Sequence, residues 1–222
     1  MMPGLDAICN RGACTCYLWF TSIIYIFHFS IMPNTSDKGK VTENQDSSNG
    51  NVLAHFHNIN TFVFDVDGVL TDGSVLLLEN GLQARQMNIK DGLGLQMALK
   101  NGYKVIIISG AASEPVINRF RYLGIDEIHL GVSDKLYFLT IFIEQNGLQW
   151  DKILYMGDDL PDVEVLQKVG LSCCPADAAV EVKQVSKYIS PINGGYGCVR
   201  DVIEKVLKLN NHWKYYSNIS SR

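Results

Sequence analysis

From Thr61 onward the chain alternates short apolar runs with amphipathic segments. The runs TFVF, KVIIIS, EIHL, ILYM and LSCC predict strands at Thr61–Phe64, Lys104–Ser109, Glu127–Leu130, Ile153–Met156 and Leu171–Cys174, with Tyr188–Ile189 as a short sixth. KVIIIS is apolar almost throughout rather than alternating, the pattern of a strand covered on both faces. Apolar residues at helical spacing predict helices over 92–101, 113–123, 135–146, 161–169, 178–185 and 199–209. Strands and helices in this alternation predict an α/β fold, a doubly wound, Rossmann-like parallel sheet flanked by helices. One segment breaks the rhythm. SVLLLENGLQARQMNI holds two extended runs around Asn80-Gly81, a dipeptide that favours a tight turn, and predicts a protruding β-hairpin at about 74–89.

The remainder of the chain is of a different kind. Residues 16–32, CYLWFTSIIYIFHFSIM, contain no Asp, Glu, Lys or Arg, yet fall slightly short of the ~20 residues that span a bilayer. Arg11 precedes them, and no small-x-small cleavage site follows. Translation from Met32 is the expectation, against a membrane anchor or a cleaved signal peptide; a natural peptide from upstream of Met32, found by mass spectrometry, would overturn it. The polar stretch after Met32 is too poor in apolar residues to pack a core and reads as a disordered leader. The expected organisation is therefore a doubtful apolar stretch plus leader over 1–50, one domain over 51–209, and a frayed tail over 210–222.

Charge and cysteine content narrow the function classes. The 222 residues carry a formal charge of −4 with scattered Lys and Arg, so no basic stripe points to nucleic acid or an anionic membrane. The 6 cysteines form neither a disulfide framework nor a paired zinc spacing, and the 5 histidines are dispersed. A reducing, cytoplasmic compartment is expected.

In a doubly wound sheet, ligands bind at the carboxyl ends of the strands. Four polar clusters fall at those ends: Asp65 and Asp67, Ser109-Gly110, Ser133-Asp134-Lys135, and Gly157-Asp158-Asp159. Any one alone reads as a turn or a solvated loop; in order at successive strand ends, they read as a site. Asp65, Asp67 and Asp158 in one crevice need a cation or raised pKa values. An all-oxygen set favours Mg²⁺, which keeps positions for water and a substrate phosphate. That chemistry suits phosphoryl transfer with an aspartate as covalent nucleophile. Ser109, the Gly110 amide and Lys135 are the donor types that phosphoryl oxygens require, and Asp67 is placed to serve as acid and base. Asp158 would hold the metal, with Asp159 or Asp162 as an outer ligand.

DVDGVLTD, Ser109-Gly110, Lys135 and GDDLPD resemble the ordered motifs of the haloacid dehalogenase superfamily. With NIKDGLGLQ, SGAASEPVINRFRYLGI and GGYGCVRDVIEKVL, the likeness extends to the capless 3-deoxy-D-manno-octulosonate 8-phosphate phosphatases. The resemblance implies a Mg²⁺-dependent phosphatase acting on a phosphorylated eight-carbon sugar acid in lipopolysaccharide precursor synthesis. It implies Asp65 as nucleophile and metal ligand, Asp67 as acid/base whose carbonyl meets the metal, and Asp158 as the third ligand. Ser109, Gly110 and Lys135 would hold the phosphate. Asn88, Ile89, Lys90, Asp91 and Gly92, together with Arg119, would touch substrate. It further implies a homotetramer associated through the hairpins, a neighbouring chain closing the site. In agreement, no room for a cap domain exists after the first or the second strand.

Two positions depart from the family pattern. Many members carry an arginine directly after the Ser-Gly pair and a basic residue in the helix after the Asp-Gly; here these are Ala111 and Gln96. Alanine cannot grip a carboxylate with paired hydrogen bonds. A nine-carbon, sialic-acid-type 9-phosphate is therefore an alternative substrate, and a silent phosphatase-like oligomerisation module is an alternative of another class.

Overall fold

The computed structural model describes residues 52–214, so the apolar stretch, the leader and the last residues from 215 lie outside the described part. In chain order the elements are α1 (Val52–His57), β1 (Thr61–Phe64), β2 (Leu76–Leu77), β3 (Gln83–Ala84), α2 (Ile89–Lys100), β4 (Lys104–Ser109), α3 (Glu114–Leu123) and β5 (Glu127–Leu130). There follow α4 (Lys135–Asn146), β6 (Ile153–Met156), α5 (Val163–Lys168), β7 (Leu171–Cys174), α6 (Val180–Val185), β8 (Tyr188–Ile189) and α7 (Cys198–Leu209). Six strands form one parallel sheet in the order β5-β4-β1-β6-β7-β8, which reverses direction at β1. The carboxyl end of β1 is thus the switch point where such sheets open a crevice.

The continuous apolarity of the strands follows from two cores. Phe62 and Phe64 of β1 join Ile107 and Met156 in one layer beneath Leu95, Phe120 and Val202 of α2, α3 and α7. Val63 faces the other way, with Ile106 and Tyr155, against Leu139, Leu166 and Val182 of α4, α5 and α6. Each such side chain taken out of water contributes about 1.5–3 kcal/mol, and the few buried polar groups in the strands, such as Ser172 and the Tyr155 hydroxyl, find hydrogen-bond partners. Among the described residues no helix is long and apolar enough to cross a membrane.

Several local expectations are corrected. The hairpin does form, as β2 and β3 with a further bridge between Thr71 and Met87. Its turn is longer than a two-residue one: Leu78 N–H donates to Leu82 O at 2.9 Å, Gly81 N–H donates to Leu78 O at 2.9 Å, and Gly81 takes φ +79°. A three-residue loop ending in a left-handed glycine suits the strand twist equally well. The helix predicted over 92–101 begins at Ile89, capped by the Asn88 side chain, which accepts from Lys90 N–H at 2.8 Å. Residues 161–169 divide into a 3-10 turn at Leu160–Asp162 and then α5. At the far end, residues 210–214 are not loose: Trp213 packs on the core under Arg200, and Tyr103 pairs with His212.

Asp91 shows why α2 and α7 sit as they do. Gly197, the N-cap of α7, has no side chain to offer its first turn. Asp91 supplies the missing acceptor from α2, its Oδ1 taking Arg200 N–H at 2.6 Å, and Gly94 lets the helices approach, since a Cβ there would lie 3.2 Å from the Arg200 side chain. Burial, with Oδ2 unpartnered, pushes the carboxyl up from 3.8 to about 6. A folded value above the ordinary one means that its contribution fades as pH rises from about 4 through 6. Asp91→Ala is expected to cost about 1–2 kcal/mol in urea unfolding near pH 4, where that contribution is intact, whereas Asp91→Asn keeps the acceptor and loses nothing. Equal losses in both variants would refute the capping role.

Candidate active site

The sheet delivers four loops to one cleft. Asp65 N–H donates to Met156 O at 3.0 Å, extending the β1–β6 pairing and bringing the loops after both strands together. Val132 N–H donates to Ser109 O at 3.0 Å, which draws the start of α4 towards the end of β4. The resulting cleft, about 430 Å³, is lined by Asp65, Asp67, Ser109, Gly110, Ala111, Lys135, Asp158, Asp159 and Asp162 among others.

Within it the charges form a buried network. Lys135 Nζ lies 3.0 Å from Asp65 Oδ2 and 2.7 Å from Asp162 Oδ1. Asp65 Oδ1 accepts from Val66 N–H at 2.7 Å. Asp162, fully buried, also accepts from the Tyr155 hydroxyl and from the amides of Asp158 and Asp159, at 3.1 and 3.4 Å. Burial, then the neighbouring Asp162, raises the Asp65 carboxyl to about 6; burial, then Asp65, raises Asp158 to about 7. Burial alone would depress the Lys135 ammonium, but the Asp65 and Asp162 carboxylates outweigh it and hold it up. The cluster is short of positive charge.

Two glycines make this crowding possible. Gly68 adopts φ +83°, and a Cβ there would lie 1.9 Å from Asp158 Oδ2. At Gly157 a Cβ would meet the Asp162 carboxyl at 2.3 Å. The GGYG segment before α7 is more than a turn: a Cβ on Gly194 would strike Gly68 O at 1.9 Å, and Gly195 N–H donates to Val69 O at 2.9 Å. It braces the loop that carries Asp67.

Not every predicted residue reaches this cleft. Asn88, Ile89 and Lys90 line a separate crevice with Asp72, Gly195 and Tyr196, while Asp91 is buried against α7 and Gly92 packs on Arg119. Arg119 lines a larger cavity, about 940 Å³, between the hairpin and α3. Ser109 is buried and accepts from Ala111 N–H at 3.1 Å, which leaves its hydroxyl proton to donate. Two residues escaped the sequence reading. Tyr155 is a hydroxyl in a strand otherwise apolar, a signal that a buried partner must exist. Arg85, which ion-pairs with Asp67 at 2.6 Å, is one of two charges in the hairpin, with Glu79, and gave no such signal.

Carboxylates massed at the switch point of a doubly wound sheet, with a buried lysine among them, define a hydrolase of the haloacid dehalogenase type. A family model described as haloacid dehalogenase-like hydrolase matches residues 127–203. The 3-deoxy-D-manno-octulosonate 8-phosphate phosphatase of Escherichia coli K12 is 37% identical over 156 residues, covering 70% of this chain and 83% of the relative. The crystal structure of the Moraxella catarrhalis phosphatase of that name, in complex with magnesium, phosphate and the sugar acid, is 34% identical with a TM-score of 0.70, covering 72% of this chain and 93% of that one. The Yersinia pestis structure is 32% identical with a TM-score of 0.71, covering 72% and 87%. The chain belongs to the 3-deoxy-D-manno-octulosonate 8-phosphate phosphatase family of these hydrolases.

Proposed function

We propose that the protein is a Mg²⁺-dependent phosphatase that converts 3-deoxy-D-manno-octulosonate 8-phosphate to the free sugar acid and phosphate, through an aspartyl-phosphate on Asp65, in lipopolysaccharide precursor synthesis. The observation that carries this reading is the convergence of Asp65, Asp158, Lys135 and Ser109 on one cleft. The donor set fits magnesium: oxygens of Asp65, Asp158 and Asp162 lie within 4.8 Å of one another, and burial together with the neighbouring carboxylates raises the pKa values of Asp65 and Asp158, a crowding of negative charge that a cation would relieve. Asp65, Asp158 and the Asp67 carbonyl would hold the ion. Asp162 is already engaged by Lys135, Tyr155 and two amides and is better suited to orienting its neighbours. Bound magnesium would neutralise charge on the phosphoryl oxygens.

The residues divide the remaining work. Asp65 attacks phosphorus and the bond to the sugar oxygen breaks. Asp67 protonates that oxygen, then takes a proton from the water that hydrolyses the aspartyl-phosphate. Ser109, the Gly110 amide and Lys135 donate to the phosphoryl oxygens as their charge grows.

Ala111 lines the cleft where an arginine would grip the substrate carboxylate, and it supports the nine-carbon ester as a second reading. The test is Mg²⁺-dependent phosphate release from the eight-carbon and nine-carbon sugar-acid phosphates side by side. Higher kcat/KM on the eight-carbon ester is expected; preference for the other transfers the protein to sialic-acid-type metabolism. Release from neither would favour the silent module.

A homotetramer assembled through the hairpins is supported by Leu76, Leu77 and Leu82, which are 63%, 73% and 62% exposed. Serine at both Leu76 and Leu77 is expected to yield monomers in sedimentation velocity; an unchanged assembly would place the interface elsewhere. Cytoplasmic residence is supported by the buried free thiols Cys173, Cys174 and Cys198.

A further inference from the structure

Arg85 stands just past β3, where the hairpin returns to the body. Its Nε donates to Asp67 Oδ1 at 2.6 Å, and its side chain is only 10% exposed. Among the described residues this is its one hydrogen-bond partner, and Arg85 is likewise the only partner of the Asp67 carboxylate. The pair stands on a boundary, because Asp67 lines the catalytic cleft while Arg85 lines the larger cavity beside α3.

An aspartate at the mouth of a cleft turns freely unless something holds it. Asp67 keeps 34% of its side chain exposed, and the loop that carries it offers the carboxylate no amide. A charge-assisted bond from a guanidinium is short and directional and fixes one carboxylate oxygen while leaving the other unengaged. Arg85 is itself mostly buried, so the hairpin that carries it determines where the carboxylate is held.

We infer that Arg85 is a positioning residue that orients Asp67 for proton transfer to and from the scissile oxygen. The inference rests on the phosphatase reading, in which Asp67 is the acid and base. It adds that the hairpin, by carrying Arg85, sets the geometry of the proton-transfer group.

Leaving-group dependence tests this, because kcat/KM reports the steps up to departure of the first product. A sugar alkoxide must be protonated as it leaves, whereas p-nitrophenolate need not be. Arg85→Gln is expected to lower kcat/KM on the sugar-acid phosphate by about 10- to 100-fold, chiefly through kcat. On p-nitrophenyl phosphate it should stay within about threefold. Arg85→Lys, which can still pair with Asp67, should recover part of the loss. In an Asp67→Asn background Arg85→Gln should add nothing further.

Equal losses on both esters would make Arg85 merely structural, and a loss confined to KM on the sugar ester would make it a substrate contact. Either overturns the inference and leaves the phosphatase reading intact. Failure of the unmodified protein on both esters would bring down that reading and, with it, the role given to Arg85.

Discussion

Asp65→Asn is expected to reduce phosphate release by at least about 10⁴-fold, since an amide cannot form the aspartyl-phosphate and the other groups act only through it. The same change should make the metal-free protein more stable at alkaline pH. Asp65 is raised to about 6 by burial and by the nearby Asp162. A folded-state value above the ordinary 3.8 gives stability that is complete below about pH 4 and is lost as pH rises through about 6. Asparagine carries no such penalty, so thermal unfolding in a chelator should separate the two proteins at pH 8 and bring them together near pH 4. Turnover surviving in the variant would mean another nucleophile; lower stability at pH 8 would mean that the Lys135 pairing outweighs the burial of charge.

Asp162→Ala is expected to be the most damaging single change to the fold of the site. Four donors converge on that carboxylate: Lys135 Nζ, the Tyr155 hydroxyl and the amides of Asp158 and Asp159. Its removal leaves the fully buried Tyr155 hydroxyl without an acceptor and Lys135 with Asp65 alone. Breaking a buried pair in this way costs about 3–5 kcal/mol. Because Lys135 then shifts, kcat/KM should also fall by about 100-fold or more. Asp162→Asn retains an acceptor oxygen and should recover much of the stability, while Tyr155→Phe, removing one donor, should cost about 1 kcal/mol. Urea unfolding of the three variants gives the ranking; an alanine variant no less stable than the asparagine one would show that the convergence carries no energy.

How much of this was legible depended on distance along the chain. The central strands β1, β4, β6 and β7 coincide with apolar runs because they are buried on both faces and bounded by polar loop residues, while β5 at the sheet edge is only half-buried. Asp65, Ser109, Lys135 and Asp158 were readable because all follow strands, and in a parallel sheet the strand ends converge. The start of α2 was placed three residues late because Asn88 and Ile89 read as the end of the hairpin, whereas Asn88 caps the helix. Asn88 caps α2 and Asp91 caps α7, roles the sequence did not announce, since a polar side chain suits a helix N-terminus as well as a ligand. The Arg85–Asp67 and Tyr155–Asp162 pairs join separate elements, and nothing in either neighbourhood names the partner. Nor did the tail show that Trp213 would find Arg200.

The bracing of the Asp67 loop by the segment before α7 bears on how the protein is born. Val69 O receives the Cys198 thiol from 129 residues further along, and Gly194 lies against Gly68. During synthesis β1 leaves the ribosome early, but its loop remains unsupported until almost the whole described chain has followed. Closing so long a loop is entropically costly and comes late. Nascent or truncated chains that end before Gly194 therefore carry the aspartates without the brace, and on the phosphatase reading they are expected to lack activity until the segment through Cys198 is in place.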